Sequence, residues 1–258
     1  MRFALSFLLA FSCAAAQAAE CSARSPATTV ALVELYTSEG CNSCPPADRW
    51  LSSLGAKGYA PDRVVPIALH VDYWDYIGWK DPYARQAFSA RQHKMAALAR
   101  AAIVYTPQVL LQGRDFRDWR STAFEREVER INARPARVRI ALALDTRARE
   151  AFEVEAAAEL LEGLLPADLA LYLGAYENKL VSEVKAGENR GRTLPHDYVA
   201  LQWTGPLDFQ AAKLIERRRL PLLPGAVPAH SGVVAFVQNK ASGEVLQALM
   251  LPACRPGG

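Results

Sequence analysis

The chain has 258 residues, 51% of them hydrophobic and 22% charged, with a formal net charge of +3. This length predicts one large or two ordinary domains, and the composition is that of a globular protein. So small a net charge gives no argument for a nucleic-acid partner. The arginines between Arg114 and Arg139 alternate with Asp115, Asp118, Glu125, Glu127 and Glu129, the pattern of a solvated helix face; 216-ERRRL-220 reads the same way.

Residues 1–18 combine Arg2, an apolar run from Phe3 to Phe11 and a small-residue end at Ala16-Gln17-Ala18. That is the layout of a secretory signal peptide cleaved near Ala18. A lipid anchor on Cys13 fits poorly with the preceding Ala10-Phe11-Ser12. No stretch reaches about 18 uninterrupted apolar residues, so no membrane span is expected. The mature chain is expected in the periplasm or the medium. It keeps Cys21, Cys41, Cys44 and Cys254, an even number in an oxidising compartment. Four cysteines allow three pairings. The closeness of Cys41 and Cys44 favours a bond between them, which leaves Cys21–Cys254 as a staple between the chain ends. Non-reducing peptide mapping is expected to recover both links; Cys21 free or joined to Cys41 would rule the scheme out.

Val30–Tyr36 is an apolar run of strand length, as in a strand buried on both faces. Ala47–Lys57 carries Trp50, Leu51 and Leu54 at helical spacing and stops near Gly58. Arg63–Val71 is a second strand, Ala84–Arg100 a helix, Val109–Leu111 a third strand turned by Gln112-Gly113, and Thr122–Asn132 a last helix. A parallel pair with a right-handed crossover follows for the first two strands. Near Pro135 the pattern changes to short strands at Val138–Leu144, Ala151–Glu159, Leu169–Tyr176, Leu180–Gly187, Tyr198–Trp203, Val233–Val237 and Val245–Met250. The expectation is an α/β domain over 28–134 followed by a β-sandwich-like domain over 136–258 (α+β overall).

Within 36-YTSEGCNSCPP-46 the two prolines mark a helix start, because proline's missing N–H costs nothing in a first helical turn. Cys41 and Cys44 then stand at the positive end of that helix and the C-terminal end of the first strand, where a thiol is acidified. A residue before proline avoids the α region, which sets Cys44 at the helix edge. In such a pair Cys41 attacks and Cys44 resolves. Glu34, a carboxylate inside an apolar run, is either a proton relay to Cys44 or a structural glutamate paired with an arginine.

With 105-YTPQVLLQG-113 added, these residues resemble the thioredoxin superfamily. The resemblance implies a thioredoxin-like N-terminal domain, redox-active Cys41 and Cys44, a cis-proline at Pro107 before a core strand, and Thr106 beside the substrate. Glu34 lies near the superfamily's buried acid, one residue further from the first cysteine. Together with 69-LHVDYWDYIGWKDPYA-84 and 187-GENRGRTLPHDYV-199, the chain resembles a secreted bacterial family, domain-of-unknown-function family 1223. His70, Asp72, Tyr73, Trp74, Asp75 and Trp79 are candidates for a substrate groove, or else form a stiff loop over the core. His196 reads first as a strand residue after a glycine-rich turn.

The expected activity is thiol–disulfide exchange with protein or small-molecule thiols and disulfides, without cofactor or metal. Structural zinc lacks a second ligand pair, since the histidines show no ligand spacing. Two alternatives stand: a static Cys41–Cys44 disulfide in a non-catalytic binding protein, and Cu(I) held by the two thiolates with help from His70.

Overall fold

The computed structural model describes residues 21–148, 150–161, 164 and 166–254; the signal-peptide reading of 1–18 lies outside the described residues. The first half contains β1 (Cys21–Arg24), β2 (Ala31–Thr37), α1 (Pro45–Ser52), β3 (Val64–His70), α2 (Gln86–Leu98), β4 (Gln108–Leu111), β5 (Arg114–Asp115) and α3 (Thr122–Asn132). The second contains β6 (Val138–Asp145), β7 (Ala151–Leu160), β8 (Leu169–Glu177), β9 (Leu180–Glu183), β10 (Thr193–His196), β11 (Val199–Asp208), β12 (Lys213–Pro221), β13 (Ser231–Asn239) and β14 (Val245–Pro252).

Local chemistry sets several of these boundaries. Pro45 and Pro46 open α1, and Ser121 caps α3 by accepting the Ala123 N–H at 3.1 Å. Cys44 takes helical φ/ψ of −75° and −41° despite the proline that follows, so it is the N-cap of α1. β2 and β3 are buried along their whole length because both faces of their sheet are covered. They pair in parallel, as expected, from Ala31↔Val64 to Thr37↔His70.

The fold-class expectation fails at the next level. Strands from both halves enter one eight-stranded mixed sheet, ordered β14-β13-β8-β11-β3-β2-β4-β5. The seam is β3 with β11, parallel at Ala68↔Val199 and reinforced by the Ala68 N–H donating to the Tyr198 carbonyl at 2.8 Å. The described chain is mostly strand with three α-helices, so an α/β thioredoxin-like N-terminal domain beside a separate β-sandwich-like domain is not what forms. The periodicity located most strands, but the seam joins residues about 130 positions apart, and nothing local marks such a pairing. The run 216-ERRRL-220 is also corrected. It lies in β12, where Arg217, Arg218 and Arg219 are exposed on a strand paired to β7.

Three buried layers result. Val33, Leu35 and Val109 on one face of the large sheet pack against Ala47 and Leu51 of α1 and Phe124, Val128 and Ile131 of α3. On the other face Leu32, Tyr36 and Ile67 meet Phe88 and Met95 of α2, together with Tyr172 and Phe236. The β8–β13 end of the sheet packs against a four-stranded sheet, β1-β6-β7-β12, through residues such as Leu171, Val233, Ile140 and Phe152. β9 and β10 form a separate two-stranded hairpin. Cys21 and Cys254 are disulfide-bonded with Cα atoms 5.6 Å apart, tying β1 to the end of β14.

Candidate functional site

Cys41 and Cys44 form the second disulfide, Cα to Cα 5.5 Å, at the N-terminus of α1. The loop closes on itself: the Cys44 N–H donates to the Cys41 carbonyl at 3.2 Å, and the Ala47 and Asp48 N–H groups donate to the Cys44 carbonyl at 2.8 and 3.1 Å. Pro45 and Pro46 occupy the first two helical positions, so the helix end keeps its dipole but lacks two of the N–H donors that would usually face an anion there. The polar contact to sulfur is instead the Ser43 hydroxyl, 3.3 Å from Cys41 Sγ. Asn42 and Ser43 are exposed, whereas Cys41 is 1% exposed and Cys44 fully buried. Cys41, expected to attack, is therefore not an outward-facing thiol in the oxidised pair.

The remaining expected residues separate into two groups. Thr106 and Pro107 lie at the start of β4, whose Gln108 pairs with Tyr36 at the end of β2, so they share the sheet end that carries the cysteines. The Thr106–Pro107 bond is cis. Trp74 joins this end: its indole N–H donates to Thr106 Oγ1 at 2.8 Å, and a Cβ on Gly40 would come within 2.9 Å of its own Cβ. Asp72 and Tyr73 turn away to α2, Asp72 bonding Ser89 and Tyr73 donating to Gln92 at 3.1 Å. They anchor the loop. Of its two readings, Glu34 takes the structural one, paired with an arginine. Strand alternation puts Val33 and Leu35 on the α1 face and Glu34 on the opposite face, where Arg91 holds it through Nε at 2.6 Å and Nη2 at 3.1 Å.

A buried set of ionisable groups includes Glu39, two residues before Cys41; the motifs named His70 and His196 but not their carboxylate partners. His70 Nδ1 is 2.7 Å from Asp81 Oδ2, which also accepts the Glu39 N–H at 2.9 Å. Glu39 in turn accepts from Trp79 Nε1 at 2.7 Å and stands 3.0 Å from His196 Nε2. The two imidazoles meet edge to face at 5.0 Å. Burial alone would lower the His70 pKa, but Asp81 lifts it above the ordinary histidine value; burial would raise Asp81, but His70 holds it below the usual carboxylate range.

Asp48, one turn into α1, is the odd acid. Burial raises its pKa, with His196 and His70 opposing, and its Oδ1 has no hydrogen-bond partner. His70 Nε2 is also unpartnered. Between the ordinary carboxyl pKa and the raised value, folded Asp48 keeps a proton that the unfolded chain releases, so stability falls as pH rises through that window. Asp48→Asn is expected to be more stable than the parent near neutral pH, the gap closing below the ordinary carboxylate range. Urea unfolding at the two pH values checks this; a less stable variant at neutral pH would contradict it.

The glycine-rich turn of 187-GENRGRTLPHDYV-199 is the loop between β9 and β10, and the sequence singled out neither Glu188 nor Asn189 within it. Asn189, buried, donates from Nδ2 to the carbonyls of Glu39 and Cys41 at 2.8 and 2.9 Å, and Glu188 Oε2 accepts the Asn42 N–H at 2.9 Å. Among the described residues no group of three or more His, Cys, Asp or Glu side chains is arranged to hold a metal ion. Cys41, Cys44 and His70 do not form such a group.

The sequence pattern of a family described as "Protein of unknown function (DUF1223)" matches residues 32–238. The chain belongs to the DUF1223 family. The match spans both halves of the site, from Glu39 and the cysteines to Asn189 and His196. A crystal structure of an Agrobacterium tumefaciens protein is similar to this DUF1223 chain at 25% identity and a TM-score of 0.59, covering 90% of this chain and 97% of that one. HBP35 of Porphyromonas gingivalis is similar at 14% identity and a TM-score of 0.63, over 88% and 76% of the two chains, a likeness of fold alone. No curated protein matches. Two disulfides are the mark of an exported chain. No helix among the described residues is long and apolar enough to cross a membrane.

Proposed function

We propose that this DUF1223 protein is an exported thiol–disulfide exchange protein whose working pair is Cys41 and Cys44. In the oxidative direction, a partner's thiolate attacks the Cys41–Cys44 bond, forming a mixed disulfide with Cys41 and releasing Cys44 as thiolate. A second partner thiolate then displaces Cys41. The partner gains a disulfide, and both cysteines leave as thiols after taking up the two protons. The reductive direction runs the same steps backwards, with Cys41 attacking and Cys44 resolving. The observation that carries the reading is the placement of the pair at the N-terminus of α1, whose first turn holds buried Asp48 with an unpartnered Oδ1, under the electrostatic influence of His196 and His70. A disulfide serving only as a clip gains nothing from titratable groups held there at the cost of desolvation. Substrates are thiols or disulfides of exported proteins or small molecules, met in the periplasm or the medium after removal of residues 1–18.

Trapping tests this directly. The Cys44→Ser variant is expected to accumulate mixed disulfides through Cys41 with particular exported partners, identified by mass spectrometry. A reduction potential for Cys41–Cys44 below about −300 mV, with no exchange, would sink the reading. That outcome would favour a static disulfide in a binding protein, the second reading, for which the 1% exposure of Cys41 speaks.

A further inference from the structure

We infer that the β9–β10 loop and the loop after β3 form a cover over the Cys41–Cys44 bond, and that the bond reacts only when this cover lifts. The inference takes its purpose from the exchange reading, but its test does not depend on that reading. Two segments distant in sequence meet here. From one side, Asn189 spans the carbonyls of Glu39 and Cys41 with a single amide group, and Glu188 takes up the Asn42 N–H. From the other, Trp74 closes on Gly40 and binds Thr106.

Ile77 joins the two. Its Cδ1 lies 3.4 Å from where a Cβ on Gly40 would stand and 3.0 Å from one on Gly187. Only the absence of side chains at Gly40 and Gly187 lets the segments approach this closely. The result is a sulfur pair at 1% and 0% exposure beneath a loop tip, Asn42-Ser43, that is itself exposed.

The attachment is of a kind that can open. β9 and β10 pair only with each other, through four residues each, and join neither larger sheet. An isolated two-stranded hairpin is marginal in water, so its position depends on what it touches. Apart from the buried His196–Glu39 contact, which anchors the end of β10, what the loop touches near the cysteines is a few hydrogen bonds, each worth about 1 kcal/mol net, with the exposed Glu188 contact worth less. Local opening at such a place lies far below global unfolding in free energy.

The test reads the rate at which a water-soluble phosphine reduces the bond. Phosphorus gives up two electrons and becomes the phosphine oxide with oxygen from water, while the disulfide becomes two thiols. The reaction is irreversible, so the rate reports access rather than reduction potential. Alkylation and mass spectrometry at timed intervals follow each disulfide separately. Asn189→Ala and Ile77→Ala are both charge-neutral, and Ile77 is half-buried in the loop after β3 and belongs to none of the three buried layers, so its truncation leaves the core untouched. Each is expected to speed reduction of Cys41–Cys44 at least about tenfold, the factor for loss of about 1.4 kcal/mol of closure, with Cys21–Cys254 unchanged. Rates within twofold of the parent in a folded Ile77→Ala protein would overturn the cover. Faster reduction in the variants combined with failed trapping would leave the cover standing and remove the exchange function.

Discussion

Arg91→Ala is expected to destabilise the protein by roughly 3–5 kcal/mol, the cost of stranding a buried charge. Glu34 is fully buried and Arg91 is 6% exposed, and the pair is bidentate at 2.6 and 3.1 Å. The third guanidinium nitrogen donates to Gln238 Oε1 at 3.1 Å, and the guanidinium carbon lies 4.9 Å from the ring centres of both Tyr172 and Phe236. Arg91 therefore ties α2 to β2 on one side and to β8 and β13 on the other, across the seam between the two halves. Truncating it leaves the Glu34 carboxylate in an apolar layer with only the Tyr36 hydroxyl at 3.4 Å. Arg91→Lys is expected to recover little, since an ammonium cannot make the paired contacts or spread over the rings. Exchanging both partners for apolar residues, Glu34→Leu with Arg91→Met, is expected to return most of the stability, because no charge is then buried. Urea titration of the four proteins measures this, and an Arg91→Ala loss under about 1 kcal/mol would refute it. Glu34→Gln adds a functional arm. A side chain on the face away from α1 is expected to leave the reduction kinetics of Cys41–Cys44 unchanged.

The same residue shows what the sequence could and could not disclose. A carboxylate within VALVELY admits two readings, because a strand buried on both faces has lost the alternation that would tell one face from the other. Only the packing of Leu32 and Tyr36 against α2, with Val33 and Leu35 against α1, decides it. Signals that depend on near neighbours were legible. Pro45-Pro46 located the start of α1, and the Thr122–Asn132 helix was bounded to the residue. The cysteine pair and Thr106-Pro107 stood out for the same reason. Pairings between distant segments were not legible. His196 meets Glu39 across 157 residues and Asn189 meets Cys41 across 148, in each case where neither partner's local sequence marks the other. The fold class failed on the same ground: the strands were visible, but the edge at which β11 joins β3 was not.

The two disulfides are expected to differ sharply in what their loss costs. On the chain-entropy account a cross-link stabilises by restricting the unfolded chain, more so as its loop lengthens. Cys21–Cys254 closes a sequence separation of 233 residues, for which that account gives about 5 kcal/mol; Cys41–Cys44 spans 3, for which it gives about 2 kcal/mol. Structure adds to the first figure. β1 is an edge strand paired to β6 from Cys21↔Leu144 to Arg24↔Ala141, so the bond to Cys254 fixes the free end of a four-residue strand. Cys21→Ala with Cys254→Ala is expected to lower the melting temperature by roughly 10–20 °C, at about 2–4 °C per kcal/mol for a chain of this size. Cys41→Ala with Cys44→Ala is expected to lower it by less than half as much. Thermal unfolding of the two double variants decides the matter, and equal losses would contradict the loop-length argument. The difference bears on function. A bond that is opened and remade in each exchange cycle has to contribute little to the fold, and the short-range bond at α1 meets that condition, while the bond between the chain ends does not.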